Sequence, residues 1–103
     1  MQPLNPKLFD ATIAATTEIL KLTSPADIML SRYFREHRSL GNRERPIIAD
    51  VAYSVIRNKT YLEEISGSKD APTMCLTSLN KIFGLSLTYL KANVSKKWHE
   101  SIE

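Results

Sequence analysis

One cysteine, Cys75, and three glycines, Gly41, Gly67 and Gly84, are all that the 103 residues hold of these two types. A lone thiol excludes an internal disulfide and suits a reducing compartment. So few glycines poorly supply the turns of a β-rich architecture. No run approaches the roughly 20 apolar residues of a membrane-spanning helix. Met1 to Lys7 lacks the charged-then-apolar layout of a leader segment. The expectation is a protein without membrane contact and with a cytoplasmic location.

Catalytic chemistry is equally sparse. There is no Gly-x-Gly-x-x-Gly loop or other phosphate-cradling glycine-rich turn. His37 and His99 stand far apart, with no His/Cys/acid cluster at metal-ligand spacing. Neither Glu63-Glu64 nor Asp10 with Glu18 forms a convincing acid–base pair. Ser24 and Ser86 read as helix caps, not nucleophiles. Cys75 lies in Thr73-Met74-Cys75-Leu76 on an apolar helical pattern, where a buried small hydrophobe is expected. Tyr89 and Trp98, at helical spacing, read as packing residues rather than as platforms for bases. The chain by itself is expected to be no enzyme and to hold neither metal nor cofactor.

What is present is the composition of a globular domain, 43% hydrophobic and 24% charged, with enough chain for one core. Helix punctuation is frequent, and no stretch alternates cleanly at period two. Asn5-Pro6 reads as a cap followed by a first-turn proline, opening a helix to about Leu22 on which Phe9, Ile13, Thr16 and Leu20 share a face. Ser24 would cap a second helix running to about Arg38, with Asp27 favourably placed in its first turn and Leu40-Gly41 as its stop. Asn42 would cap a third through Ile47, Ile48, Val51, Ala52, Val55 and Ile56. Pro46 biases Arg45 away from helix, which moves the expected start to Arg45 or Pro46. After a break at Asn58–Thr60 comes a short helix with Leu62 and Ile65, closed by Gly67. Asp70-Ala71-Pro72 would open a helix through Met74, Leu79, Ile82 and Phe83, ended by Gly84. Ser86 would cap a last helix carrying Leu90, Val94 and Trp98, and Ile102-Glu103 brings no terminal cap signal. The expected fold is all-α, a compact bundle of five or six helices, in one domain spanning 1–103.

The net charge of +3 is modest but localised. All six arginines, Arg32, Arg35, Arg38, Arg43, Arg45 and Arg57, lie between positions 32 and 57, where Glu36, Glu44 and Asp50 are the only acids. That window carries the whole net charge, and eight lysines and eight acids cancel elsewhere. Guanidinium is the better planar, bidentate phosphate ligand and also stacks on bases. Turning each residue by about 100° places Arg32, Arg35 and Arg38 on one arc of the second helix. Met29, Leu30, Tyr33, Phe34 and His37 occupy the opposite arc, which makes His37 a satisfied core histidine. Ile28 alone is apolar on the basic side.

On the third helix Asp50 and Arg57 share the outer face, flanked by Tyr53 and Ser54, and Arg43 joins them if the helix extends that far back. Asp50 is positioned to neutralise Arg43 or Arg57. Arg45 falls near the buried face and is expected to make a structural pairing. Charge pattern alone leaves two readings open, a nucleic-acid surface and a merely solvated face.

At these residues a family resemblance appears. Ala26-Asp27, Leu30, Tyr33-Phe34-Arg35, Gly41-Asn42-Arg43-Glu44-Arg45, Ile48-Ala49 and Tyr53-Ser54-Val55-Ile56-Arg57 together resemble the N-terminal domain of Fmu/Sun/RsmB-type ribosomal RNA cytosine-5 methyltransferases. The usual family wording is close to Ala-Asp…Leu…Phe-Phe-Arg…Leu-Gly-Ser-Arg-Asp-Arg…Ile-Ala-Glu…Tyr-Gly-Val-Leu-Arg. The match covers Ala26 to Arg57, about a third of the chain, and the spacing of its blocks is its specific part. Tyr33 replaces Phe, Asn42 Ser, Glu44 Asp and Asp50 Glu, and Pro46 has no family counterpart.

The resemblance implies a helical fold similar to the antitermination factor NusB, and a non-catalytic domain at the N-terminus of a larger enzyme. It implies ribosomal RNA and the enzyme's own methyltransferase domain as partners. S-adenosylmethionine, and a cysteine nucleophile in a Pro-Cys setting, would belong to that catalytic domain. Arg32, Arg35, Arg38, Arg43 and Arg57 are the candidate RNA contacts, with Arg45, Asp50 and Asp27 as structural or interface residues. The alternative is a NusB-like protein-interaction module, acting in antitermination through a protein partner or packing only on its own catalytic domain.

Overall fold

The capped, periodic segments become six α-helices in a computed structural model that describes residues 6–21, 23–94 and 96–98. In order they are α1 (Pro6–Ile19), α2 (Ala26–Glu36), α3 (Glu44–Arg57), α4 (Lys59–Ser66), α5 (Ala71–Lys81) and α6 (Leu87–Asn93), followed by a 3-10 turn at Lys96–Trp98. Among the described residues there is no strand, so the architecture is an all-α bundle of six helices. Its radius of gyration, 12.6 Å, matches the about 12.8 Å expected of a compact chain this long. The expected cap Asn5, the helix end at Leu22, His99 and Ile102-Glu103 lie outside the described residues.

The core is laid down by α1, α3 and α5, with the α1–α3 and α1–α5 contacts the most extensive in the bundle. From α1 come Phe9, Ile13, Ala15 and Ile19; from α3, Ile48, Val51, Ala52 and Val55; from α5, Met74, Cys75, Leu76 and Leu79, all buried. Of the buried hydroxyls, Thr12 Oγ1 donates to the Leu8 carbonyl at 2.8 Å, whereas Thr16 Oγ1 has no hydrogen-bond partner among the described residues. Ser54 and Ser78 share a hydrogen bond of 3.3 Å across the α3–α5 contact. Ser54 was expected beside the outer face; it is buried because that side of α3 meets α5, where Ser54 faces Ser78.

Several helix ends differ from the sequence reading, each for a local reason. α1 stops at Ile19 and gives way to a turn. The α2 cap is Pro25, in an extended conformation (φ −56°, ψ 144°), not Ser24; the Met29 N–H reaches the Pro25 carbonyl at 3.0 Å. α2 ends at Glu36, two residues short of Arg38, because the chain turns there to bring Leu40 into the core. α3 starts at Glu44, so Asn42 lies in the preceding turn and Arg43 is the cap residue. Pro46 then falls in the first turn, where its missing N–H is one a helix start leaves unpaired in any case.

Elsewhere the break between helices is Asn58 alone. Its side-chain amide donates to the Ser54 carbonyl at 2.8 Å, and its own carbonyl accepts from the Leu62 N–H at 2.8 Å. Gly67, at φ 70°, closes α4 in the left-handed conformation that glycine adopts without penalty. Asp70 caps α5 through the Thr73 N–H at 3.2 Å, and Ser86 caps α6 through the Tyr89 N–H at 3.0 Å. α5 ends at Lys81 and leaves Ile82 exposed, while Phe83 packs partly on the core. α6 ends at Asn93, so Val94 and Trp98 do not share its face. Trp98 instead ties the chain back to α1, donating from Nε1 to Asp10 Oδ1 at 2.8 Å.

Candidate nucleic-acid interface

The α2–α3 corner is held by an aromatic and guanidinium cluster. Tyr33 is buried and donates its hydroxyl to the Ala11 carbonyl at 3.3 Å, pinning α2 to α1. Burial, with Glu18 adding to it, pushes its phenol above the ordinary tyrosine value. His37 stacks on the Tyr33 ring at 4.0 Å between centroids. It lies just past the end of α2 and is exposed, not a core residue as the helical wheel implied. Its Nδ1 must carry the proton, because its partner at 2.8 Å is the Tyr33 carbonyl, which only accepts.

Arg45 reaches back from the first turn of α3. Its Nε donates to the Leu40 carbonyl at 2.9 Å, and its guanidinium carbon stands 5.6 Å from the centre of the Phe34 ring, within cation–π range. This arrangement fastens the α2–α3 connection at both ends. It also holds Arg45 in helix despite Pro46, offsetting the steric bias against that conformation.

Around the anchor lies an open depression of about 420 Å³ lined by Ser31, Phe34, Arg35, Arg38 and Arg45. Arg35 and Arg38 are exposed, whereas Phe34 and Arg45 are half-buried. Although Arg38 is outside α2, the turn after Glu36 returns it to the same concavity as Arg35. Arg32 does not share it. That residue borders a separate small hollow of about 30 Å³ with Glu18, Met29, Tyr33 and Glu36, so that two carboxylates share its surroundings without forming an ion pair with it.

The remaining arginines are dispersed. Arg43 caps α3 and Arg57 is its last residue, which separates their backbones by about 21 Å along the axis. Both are exposed. Arg57, in the last turn, also complements the α3 dipole. Asp50 is exposed and makes no ion pair with either of them among the described residues. The two ion pairs there, Lys21–Glu18 and Lys59–Glu63, both at 3.1 Å, use lysine. Every arginine of the chain is thus without a carboxylate partner among the described residues. Asp27 is exposed in the first turn of α2. Tyr53, expected at the surface, is partly buried and packs against the core.

Other polar candidates have structural positions. Cys75 is fully buried, and burial pushes its thiol up to about 12, with a Thr16 hydroxyl opposing only in part. Tyr89 meets Phe9 edge to face at 6.5 Å. Among the described residues no three His, Cys, Asp or Glu side chains gather as a metal site, and no helix is long and apolar enough to cross a membrane.

The wheel of α2 separated basic from apolar positions but placed Phe34 wholly with the latter. Ser31 and Phe34 were not apparent as site residues, because the depression exists only once Arg45 crosses from α3. Comparison with known proteins yielded no matching family model, no matching curated protein and no matching solved structure.

Proposed function

We propose that this chain is a non-catalytic RNA-binding and docking domain of the kind carried at the N-terminus of the ribosomal RNA cytosine-5 methyltransferases it resembles. The observation that carries the reading is the depression that Arg35, Arg38 and Arg45 line together with Phe34, with no carboxylate pairing any of the three. Unpaired guanidinium groups in a concavity offer planar donors to phosphate oxygens at little cost in broken contacts. A solvated face has no need of such convergence. Arg35 and Arg38, exposed and free of structural bonds among the described residues, are the principal phosphate ligands. Arg45 contributes charge from a fixed position, and Arg43 and Arg57 serve as outlying contacts. Arg32, facing Glu18 and Glu36, contributes least.

Ribosomal RNA as the target, and docking on a methyltransferase domain that holds S-adenosylmethionine, follow from the resemblance. The docking part draws further support from large apolar side chains on the surface: Ile28, Tyr61, Ile65, Ile82 and Leu87 are all more than 40% exposed. Tyr61 and Ile65, one turn apart on α4, present one apolar stripe. The same stripe favours the second reading, a NusB-like module that meets RNA only through a protein partner.

Titration of a fluorescent ribosomal RNA fragment separates these readings. Direct binding that weakens steadily with salt is the expected result. Absence of binding at low salt, with a protein partner retained after nuclease treatment, would replace the first reading by the second.

A further inference from the structure

We infer that the depression between α2 and α3 receives one unpaired nucleotide of a single-stranded RNA, its base against Phe34 and its phosphate between Arg35 and Arg38. The inference rests on the RNA-binding reading above and specifies the form of RNA recognised. Three observations lead to it.

The first is size. About 420 Å³ falls within the roughly 300–1,000 Å³ of sites that take small organic groups. A concavity on that scale admits one nucleotide. Duplex RNA is read by long surfaces that follow its grooves over about 16 base pairs, and a single pocket bordered by five residues offers no such track.

The second is the aromatic ring. Phe34 is not fully buried, and part of its surface opens into the depression. Beyond its packing on the core and its contact with Arg45, the ring adds to the depression an apolar face that a purely electrostatic phosphate site does not use. Single-stranded bases, in contrast, expose π-faces that stack on aromatic rings and guanidinium planes alike. The Arg45 guanidinium stands over the Phe34 ring, its carbon 5.6 Å from the ring centre, and its own plane is a further stacking surface.

The third is rigidity on one side and freedom on the other. Phe34 and Arg45 are held, by the core and by the Leu40 carbonyl respectively. Arg35 and Arg38 are exposed and make no hydrogen bond or ion pair among the described residues, so they are able to follow a flexible backbone. A fixed stacking floor with mobile phosphate ligands suits a strand that lacks a partner.

The test compares one single-stranded oligonucleotide with a hairpin duplex of equal length by fluorescence anisotropy, using the full chain. The single strand should bind more tightly. Phe34→Leu, which keeps apolar bulk but removes the π-face, should weaken single-strand binding by about 5- to 150-fold, leave duplex binding unchanged and preserve the salt slope. Circular dichroism at the assay temperature verifies that the variant is folded. Ser31→Leu, at an exposed rim position one turn from Phe34, narrows the depression and should act in the same direction.

Equal affinity for duplex and single strand, or folded Phe34→Leu and Ser31→Leu proteins that bind the single strand like wild type, would overturn the inference while leaving RNA binding intact. No binding to either RNA would overturn both. A free nucleoside monophosphate supplied at the oligonucleotide's concentration should not displace it; displacement at that level would show a free-nucleotide site and sink the single-strand inference.

Discussion

Arg45→Ala should destabilise the fold by about 2 kcal/mol, although the residue lies on a basic and partly exposed surface. The substitution deletes a charge-assisted hydrogen bond to the Leu40 carbonyl at 2.9 Å, a kind of bond worth roughly 1.5–3 kcal/mol. It also removes the cation–π contact with Phe34 at 5.6 Å, worth roughly 0.5–1 kcal/mol at an accessible site. Water can reach the half-exposed corner and solvate the freed carbonyl, so the sum falls towards the lower end of both ranges. In a domain of this size about 2 kcal/mol lowers the thermal midpoint by roughly 10 °C. Urea unfolding should show a reduced midpoint with an unchanged slope. Arg45→Lys, which keeps the charge and loses the planar fork, should recover only part of the loss. Arg35→Ala, at an exposed position without intramolecular partners, serves as control and should stay within about 0.5 kcal/mol of wild type. An Arg45→Ala protein as stable as the Arg35→Ala control would refute the assignment of Arg45 as the bolt between α2 and α3.

Two further outcomes follow from the core and the helix junctions. The Cys75 thiol, raised by burial from 9.0 to about 12, releases its proton more readily in the unfolded chain, so unfolding gains from alkaline pH. The thiol's contribution is intact below about pH 9 and declines towards pH 12 by up to about 1.4 kcal/mol per unit. Urea titrations across that range should show a shallower alkaline decline for Cys75→Val, and native Cys75 should resist thiol reagents until denaturant exposes it; rapid labelling of the folded protein would contradict the burial. Asn58→Ala removes the side-chain bond to the Ser54 carbonyl at the α3–α4 junction and should cost about 1 kcal/mol, measured by the same unfolding titrations, with no effect on RNA affinity.

Where a cap depends on one side chain and its neighbours, the sequence was a reliable guide: Asp70 and Ser86 accept the N–H groups three residues on, and Gly67 closes α4. The α2 and α3 starts were harder to read. Pro25 displaces Ser24 as the cap of α2, and Pro46 proves compatible with a helix that begins before it. The apolar arcs of α1 and α3 were legible as faces, but periodicity does not say how many neighbours a helix has, and so Ser54 and Tyr53 were placed too far outward. The arginine ridge of α2 rested on an unbroken helix to Arg38. Burial of Leu40 ends that helix early, yet the resulting turn delivers Arg38 to the depression by another route. The depression itself joins Phe34 to Arg45 across a helix boundary. No local pattern encodes which two faces will meet.

The central claim is that the Arg35–Arg38 side of this corner binds RNA phosphates, and the salt dependence of RNA binding tests it most directly. With the phosphate between them no longer neutralised, the Arg35→Ala/Arg38→Ala protein should bind single-stranded RNA more weakly and lose about 0.7 from the magnitude of its slope in log K against log salt, at about 0.7 per phosphate contacted. Arg32→Ala should leave the slope nearly unchanged. A double variant with wild-type affinity and slope, or an equal loss on replacing Arg32, would contradict the account.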